Sequence, residues 1–237
     1  MKDIIKYFKL LKYGLQIKTM VILSIVFFAL GIVYECVDLN GGGIIPFSGL
    51  YMALSGMYIY QVVITTTVSS LVQVSSMKKK LQCGAPVFFT TCCLLITYTA
   101  FVVIRLCITR KRLLAADPSM DTTNYYLQIV FTSLLIAFLF LYFSFSYRFY
   151  IISTVILCVT LFPLMLLFIR SGFSVTDRII SFVYGIIEKL GGGGAIALSY
   201  AIILLGALLC YLVNLALYRR PIQSIAFRTA LRQAQAK

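Results

Sequence analysis

The sequence predicts an all-α membrane protein with six transmembrane helices, and its composition and apolar runs carry that prediction. Hydrophobic residues make up 61% of the 237-residue chain and charged residues only 12%, whereas an ordinary soluble domain has roughly 25% charged residues. The apolar residues fall in runs of about 20 or more, the length that a helix needs to cross a bilayer. Strands of a membrane β-barrel would be about half as long and would alternate in polarity. The chain is therefore expected to form a single transmembrane domain.

Six apolar runs define the predicted spans. They cover residues 20–37, 45–74, 85–108, 125–147, 149–169 and 195–218. The fourth and fifth runs are separated only by a tight turn near Arg148. The first run continues through Tyr34 and Glu35 without a small-residue cleavage site, so it is predicted to be a permanent anchor rather than a secretory signal. Pro163 is expected to kink the fifth span.

The distribution of Lys and Arg predicts that both termini are cytoplasmic. With that orientation, 14 of the 21 basic residues lie on the cytoplasmic side, as the positive-inside rule requires. The net charge of +14 then favours contact with anionic lipid, and no nucleic-acid partner is expected. Arg105 lies about one turn from the outer end of its span and is interpreted as an interfacial anchor.

Two amphipathic segments are predicted to lie along the membrane surfaces. Residues 1–19 form a cytoplasmic interfacial helix, because apolar residues recur on the face opposite several lysines, at Ile4, Phe8, Leu11 and Leu15. Residues 173–190 form an outer amphipathic helix that opens with Ser174 and Asp177 at capping-box spacing. This segment is too short and too charged to span, and the glycine run at 191–194 is expected to end it. Residues 219–237 form a cytoplasmic tail.

A lysine-rich segment connects the second and third spans. Residues 75–84 read "SSMKKKLQCG", and two interpretations remain open. The lysines could act only as an orientation signal, or the segment could form a two-turn helix that transmits force to a partner. In the second case Gly84 would end the helix and Pro86 would begin the next. The candidate coupling residues are Met77, Lys78, Lys79, Lys80, Leu81, Gln82, Cys83 and Gly84, with Leu81 expected to be a buried anchor.

The sequence contains no pattern that indicates catalysis. It has no histidine, which excludes histidine metal sites and histidine-based triads. The stretch "GGGGAIALS" lacks the Gly-Lys-Ser/Thr ending of a phosphate-binding loop, and no CxxC pair occurs among the seven cysteines, which are interpreted as small buried hydrophobes. Asn214 and Gln61 are expected to link helices by hydrogen bonds. No enzyme activity, metal site or cofactor site is therefore expected in this chain.

The layout as a whole resembles the ABC-2 type permeases, which also have a basic N-terminal helix, six spans, a short helix between spans two and three, and an outer amphipathic segment. The resemblance implies the permease subunit of an ATP-driven exporter in a bacterial cell membrane, with ATP and Mg held by a separate ABC ATPase. It also implies a dimer with a second copy or a related permease, and a coupling role for residues 75–84 at the ATPase. Many members have an acidic residue and "GTL" ahead of this loop, where this chain has Ser75, Ser76 and Met77.

The cargo implied by compact members of that family is an amphipathic peptide, as in phenol-soluble-modulin or bacteriocin-type exporters. Aromatic residues crowd one predicted cytoplasmic turn and favour such a cargo, unless they only pack or form an interfacial belt. They are Phe143, Phe145, Tyr147, Phe149 and Tyr150. The alternative is an ion-coupled transporter or channel without an ATPase, and the scarcity of ionisable residues in the spans counts against it. A membrane enzyme would need a catalytic cluster that the sequence does not show.

Overall fold

The computed structural model describes residues 17–37, 46–66, 79–114, 122–169 and 174–220. Three predicted features therefore lie outside the described residues. They are most of the N-terminal interfacial helix, the first half of the lysine-rich segment with Met77 and Lys78, and the tail from residue 221 onward.

The described residues are helical in every element. The helices are α1 (Ile17–Cys36), α2 (Phe47–Thr66), α3 (Ala85–Leu114), α4 (Thr122–Ser146), α5 (Tyr150–Ile169) and α6 (Ser174–Ala216). A short π-helical turn, Lys80–Gly84, precedes α3. No strand occurs within these ranges, so the prediction of an all-α fold is confirmed for them.

Five of these helical regions are long and apolar enough to cross a membrane. They are Ile17–Cys36, Phe47–Thr66, Lys80–Lys111, Thr122–Ser146 and Ile180–Ala216. In α5, the apolar stretch with described side chains is shorter and covers Tyr150–Thr160. The architecture fits a multi-pass membrane protein, in which unsatisfied backbone groups are avoided by forming helices.

A glycine divides α6 into two parts. Gly191 has φ 67° and ψ 176°, a conformation that a residue without a Cβ adopts at little cost. The break separates residues 174–190 from residues 192–216, so the glycine run does interrupt the helix where the sequence predicts. In the first part Ile187 is buried, whereas the neighbouring charged Glu188 is exposed. A buried apolar residue beside an exposed charged one is the pattern expected of an amphipathic helix.

The expected helix end at Gly84 is wrong. The π-helical turn Lys80–Gly84 runs directly into α3, and the backbone N–H of Ala85 donates to the carbonyl oxygen of Lys80. Pro86 explains the wide turn, because a proline has no N–H and its ring would clash with the carbonyl four residues earlier in an α-helix. Lys79 and Lys80, both exposed, therefore lie on a helix that continues without a break into α3.

The helices pack as a bundle with two distinct ends. α1 packs mainly on α2, and α4 packs mainly on α6, while α3 contacts both pairs. Small residues allow the close approach of α4 and α6, since a Cβ on Gly206 would lie 2.7 Å from the Ala137 Cβ. We call the end of the bundle that contains the last turn of α1 the Glu35 end. The opposite end, where α3 begins and α6 finishes, is the Lys79 end.

Candidate functional site

A buried ion pair lies at the Glu35 end. Glu35, in the last turn of α1, accepts hydrogen bonds from Arg105 Nη1 at 3.0 Å on both carboxylate oxygens. Each residue is only 2% exposed. The interpretation of Arg105 as an interfacial anchor is therefore wrong. Because a charge buried in apolar surroundings is costly without a partner, Arg105 points inward to the carboxylate rather than outward to lipid headgroups.

Two further helices complete this site. Ser48 of α2 donates its hydroxyl to Glu35 Oε2 at 2.5 Å, and Arg105 Nη2 donates to the side-chain oxygen of Gln128 in α4. The guanidinium carbon of Arg105 also lies 5.0 Å from the centre of the Tyr125 ring, a cation–π contact. We call Glu35, Ser48, Arg105 and Gln128 the ion-pair cluster. It joins α1, α2, α3 and α4 at one point.

The ion-pair cluster is missing from the sequence prediction, although the sequence contains a signal for it. Glu35 is the single charged residue of the run 20–37, and Arg105 is the single charged residue of the run 85–108. One acid and one base, each isolated in its own apolar run, are the residues expected to pair inside a helix bundle. Their charges cancel and their side chains are enclosed, so the cluster connects helices and offers no open site for a ligand.

The predicted coupling residues divide into exposed and buried groups. Lys79 and Lys80 are exposed, whereas Leu81, Gln82 and Cys83 are 8%, 3% and 2% exposed. The sequence predicts Leu81 as an anchor buried against a docked partner, but in the structure this chain itself covers it. The exposed part of the described segment consists of the two lysines.

A network of neutral hydrogen bonds connects this segment to the end of α6. Cys83 Sγ donates to the backbone oxygen of Asn214 at 3.3 Å, and Asn214 Nδ2 donates to the Tyr60 hydroxyl at 3.3 Å. Cys210 Sγ lies 3.7 Å from Asn214 Nδ2 and 2.6 Å from Ser144 Oγ. We call these five residues the neutral network. The expectation that Asn214 links helices is confirmed.

Arg148 holds the chain that follows α6. This residue lies in the turn between α4 and α5, is 4% exposed, and donates from Nη1 to the carbonyl oxygens of Tyr218, at 3.5 Å, and Arg220. Cations are favoured at the carbonyl end of a helix. Burial lowers the pKa of Arg148, but arginine starts so far above neutral pH that it stays protonated. The turn and the end of α6 are thus fixed to each other.

The aromatic residues near this turn do not form one surface. Phe143 and Tyr147 are both 7% exposed, and their rings lie 6.1 and 6.0 Å from the Tyr60 ring. Phe145 and Tyr150 are each 40% exposed. Packing therefore explains Phe143 and Tyr147, whereas Phe145 and Tyr150 face outward and Phe149 contacts Arg220.

A small cavity lies between α2, α3 and α4, and it is lined mostly by apolar side chains, among them Ala53, Met57, Leu94, Ile136 and Phe140. Thr90 also lines it, and its buried hydroxyl has no hydrogen-bond partner in the described part of the chain. A buried water needs two to four polar partners, and this lining provides few. We assign no ligand to the cavity.

The cysteines are all free thiols. Cys83 and Cys210 are buried, which fits their interpretation as small buried hydrophobes, but Cys36, Cys92, Cys107 and Cys158 are exposed. Among the described residues, no group of three potential metal ligands occurs.

Comparisons with known proteins do not assign the chain to a family: no family model, no curated protein and no solved structure matches it.

Proposed function

We propose that the chain is the permease subunit of an ATP-driven exporter of the ABC-2 type. It would lie in the bacterial cell membrane with six spans and both termini in the cytoplasm, and would form a dimer with a second copy or a related permease. A separate ABC ATPase would hold ATP and Mg. The cargo would be an amphipathic peptide or another hydrophobic molecule, carried outward between the two permease subunits.

The observation that supports this proposal most is the connection from the exposed lysines to the last membrane helix. Lys79 and Lys80 lie on the helix that continues into α3. Three residues later in that helix, Cys83 is bonded to Asn214 of α6. A partner that moved the lysines would therefore move α3 and α6 together. This is the property that a coupling segment needs.

The form of α6 is a second support. In its first part the apolar Ile187 is buried while the charged Glu188 and Lys189 are exposed, and Gly191 separates that part from the apolar residues 192–216. A short amphipathic helix immediately before the last span belongs to the layout that resembles the ABC-2 type permeases.

The bonds at the two ends suggest how such a permease would move. Neutral hydrogen bonds between membrane helices contribute only about 0.6 to 2 kcal/mol each, so the bonds from α6 to Tyr60 of α2 and Ser144 of α4 can rearrange while α3 and α6 move together. Breaking a buried ion pair costs about 3 to 5 kcal/mol. The ion-pair cluster would therefore remain closed and act as the fixed point of the motion.

The buried ion pair favours one other candidate function, an ion-coupled transporter or channel. Ionisable residues inside membranes often mark the pathway of such proteins. Glu35 and Arg105 are two such residues, and the structure places both inside the helix bundle. Yet Glu35 and Arg105 bind each other and are 2% exposed. An ion or proton would need access to one of them, so we favour the ATP-driven exporter.

The test is to purify the chain from its native membrane and to identify any ATPase bound to it. In proteoliposomes, we expect ATP hydrolysis to be stimulated by amphipathic peptides and not by sugars. The control is a complex whose ATPase carries alanine in place of its phosphate-loop lysine. Transport driven by an imposed ion gradient without ATP would refute the exporter and support the ion-coupled alternative.

A further inference from the structure

Two basic segments that are far apart in the sequence lie at the same end of the bundle. Lys79 and Lys80 are exposed at the start of the π-helical turn, and Arg219 and Arg220 are exposed just beyond α6. The bond from Cys83 to the Asn214 backbone holds the first segment to the end of α6. The four cations therefore lie at the same end of the bundle, on two segments that this bond joins.

Side-chain contacts hold the residues after α6 in place at this end of the bundle. Arg148 donates to the carbonyl oxygens of Tyr218 and Arg220, and the Arg220 guanidinium lies 4.8 Å from the centre of the Phe149 ring. Lys79 and Arg148 are both close enough to Cys83 to act on it electrostatically. The residues that follow α6 are thus held against the α4–α5 turn, next to the lysines.

No described acidic side chain compensates these charges. Among the acidic residues whose side chains the structure describes, Glu35 lies in the ion-pair cluster at the other end. Glu188 lies three residues before Gly191, at the far end of the last membrane segment. A group of like charges without local partners is a surface that favours a negatively charged partner.

We infer that Lys79, Lys80, Arg219 and Arg220 form a single docking surface for an acidic protein surface. We call it the basic platform. The inference rests on the proposed function, because the acidic surface would be carried by the ATPase subunit, and it adds the end of α6 to the contact. Motion of the ATPase would then reach α6 directly as well as through α3.

A protein fits this surface better than a lipid. Segments that bind membranes at the interface combine cations with apolar side chains that enter the lipid. In the described part of the lysine segment the exposed residues are Lys79 and Lys80, whereas Leu81, Gln82 and Cys83 are buried. The backbone at Arg220 also accepts a hydrogen bond from the buried Arg148, so this part of the platform is anchored to protein.

The experiment compares two charge-neutralised variants with a control of equal net charge. The variants are K79Q/K80Q and R219Q/R220Q, and the control is R110E, which changes an exposed arginine near the end of α3, at the Glu35 end of the bundle. Each purified chain is placed in nanodiscs of neutral lipid, its orientation and thermal unfolding are checked, and its Kd for the co-purifying ATPase is measured.

Exposed charge pairs contribute about 0 to 1 kcal/mol each, so we expect each double variant to raise the Kd roughly three- to tenfold. The salt dependence of binding should also become weaker, and R110E should bind as the unaltered chain does.

The possible outcomes separate this inference from the proposed function. If K79Q/K80Q weakens binding and R219Q/R220Q does not, the basic platform is refuted while the exporter stands. If both variants bind the ATPase normally but lose binding to vesicles of anionic phosphatidylglycerol, the surface is a lipid-binding one and the inference is wrong. If the unaltered chain binds no ATPase, both the inference and the proposed function fail.

Discussion

The two ends of the bundle are held together by different chemistry. At the Glu35 end, a charged pair with 3.0 Å contacts and a 2.5 Å hydroxyl bond joins four helices. At the Lys79 end, neutral groups meet at 3.3 Å through Cys83, Asn214 and Tyr60. Charge-assisted hydrogen bonds are about twice as strong as neutral ones. The bonds between membrane helices are therefore strong at the Glu35 end and weak at the Lys79 end, where Arg148 fixes only the chain after α6 to the α4–α5 turn.

This difference has a consequence for a transporter. A permease driven from one side of the membrane needs a region that moves with its motor and a region against which that movement occurs. The exposed lysines lie at the end with the weak bonds. We therefore expect substitutions at the two ends to differ in their cost to stability, and the following measurements test that expectation.

The largest effect is expected for the ion pair. Arg105→Met would leave the Glu35 carboxylate buried without its partner and should lower the free energy of unfolding by about 3 to 5 kcal/mol. Glu35→Met should have a similar effect. In the double variant neither charge remains, so its loss of stability should be much smaller than the sum of the two single losses. Unfolding of the purified chain in detergent would give these values.

Additive losses in that double-mutant cycle would contradict the account, because they would show that the two side chains do not depend on each other. Arg110→Met is a matched control for the arginine, since Arg110 is exposed near the end of the same helix. Its effect should be within about 0.5 kcal/mol of zero.

An intermediate effect is expected between the two ends, where packing rather than polar contact joins α4 and α6. In Gly206→Ala the new Cβ would lie 2.7 Å from the Ala137 Cβ and 2.9 Å from the Ala137 Cα. The backbone cannot move aside cheaply, so we expect a loss of about 1 to 3 kcal/mol. Gly185→Ala is the control, because a Cβ there would meet nothing within 4 Å and alanine is the better helix former. Equal stability of the two variants would show that α4 and α6 are not this closely packed.

The smallest effect is expected in the neutral network. Tyr60→Phe removes the hydroxyl that accepts from Asn214 Nδ2 and keeps the ring, so it should cost about 0.6 to 2 kcal/mol. Tyr58→Phe is a control that retains the stacking on Phe27 at 5.3 Å. The contrast between the ends would be lost if Tyr60→Phe proved as costly as Arg105→Met.

The sequence predicts much of the fold because the positions of the membrane helices depend on runs of apolar residues, which can be read directly from the sequence. Apolar runs of membrane-spanning length became helices, and the glycine run produced a break at Gly191. The sequence could not predict the helix that continues through Gly84, because the π-helical turn depends on how the carbonyls before Pro86 are accommodated. A glycine at position 84 is compatible either with the end of a helix or with its continuation.

The candidate site was harder to predict than the fold because its contacts join distant parts of the chain. Arg105 and Glu35 are 70 residues apart, and Cys83 and Asn214 are 131 apart. The position of Arg105 near the end of a span is compatible with pointing to headgroups or to a neighbouring helix. Only the packing of α1 against α3 decides between them. The burial of Leu81 within its own chain likewise depends on how the helices pack, which the sequence does not show.

The most direct test of the account is the side of the membrane on which each end lies. Lys79→Cys and Arg110→Cys would each be made in a chain whose exposed and half-buried cysteines are replaced, leaving the buried Cys83 and Cys210. An impermeant thiol reagent should label position 110 in intact cells and should label position 79 only after the membrane is opened. Labelling of position 79 in intact cells would place the basic platform outside, and a cytoplasmic ATPase could not then act on it.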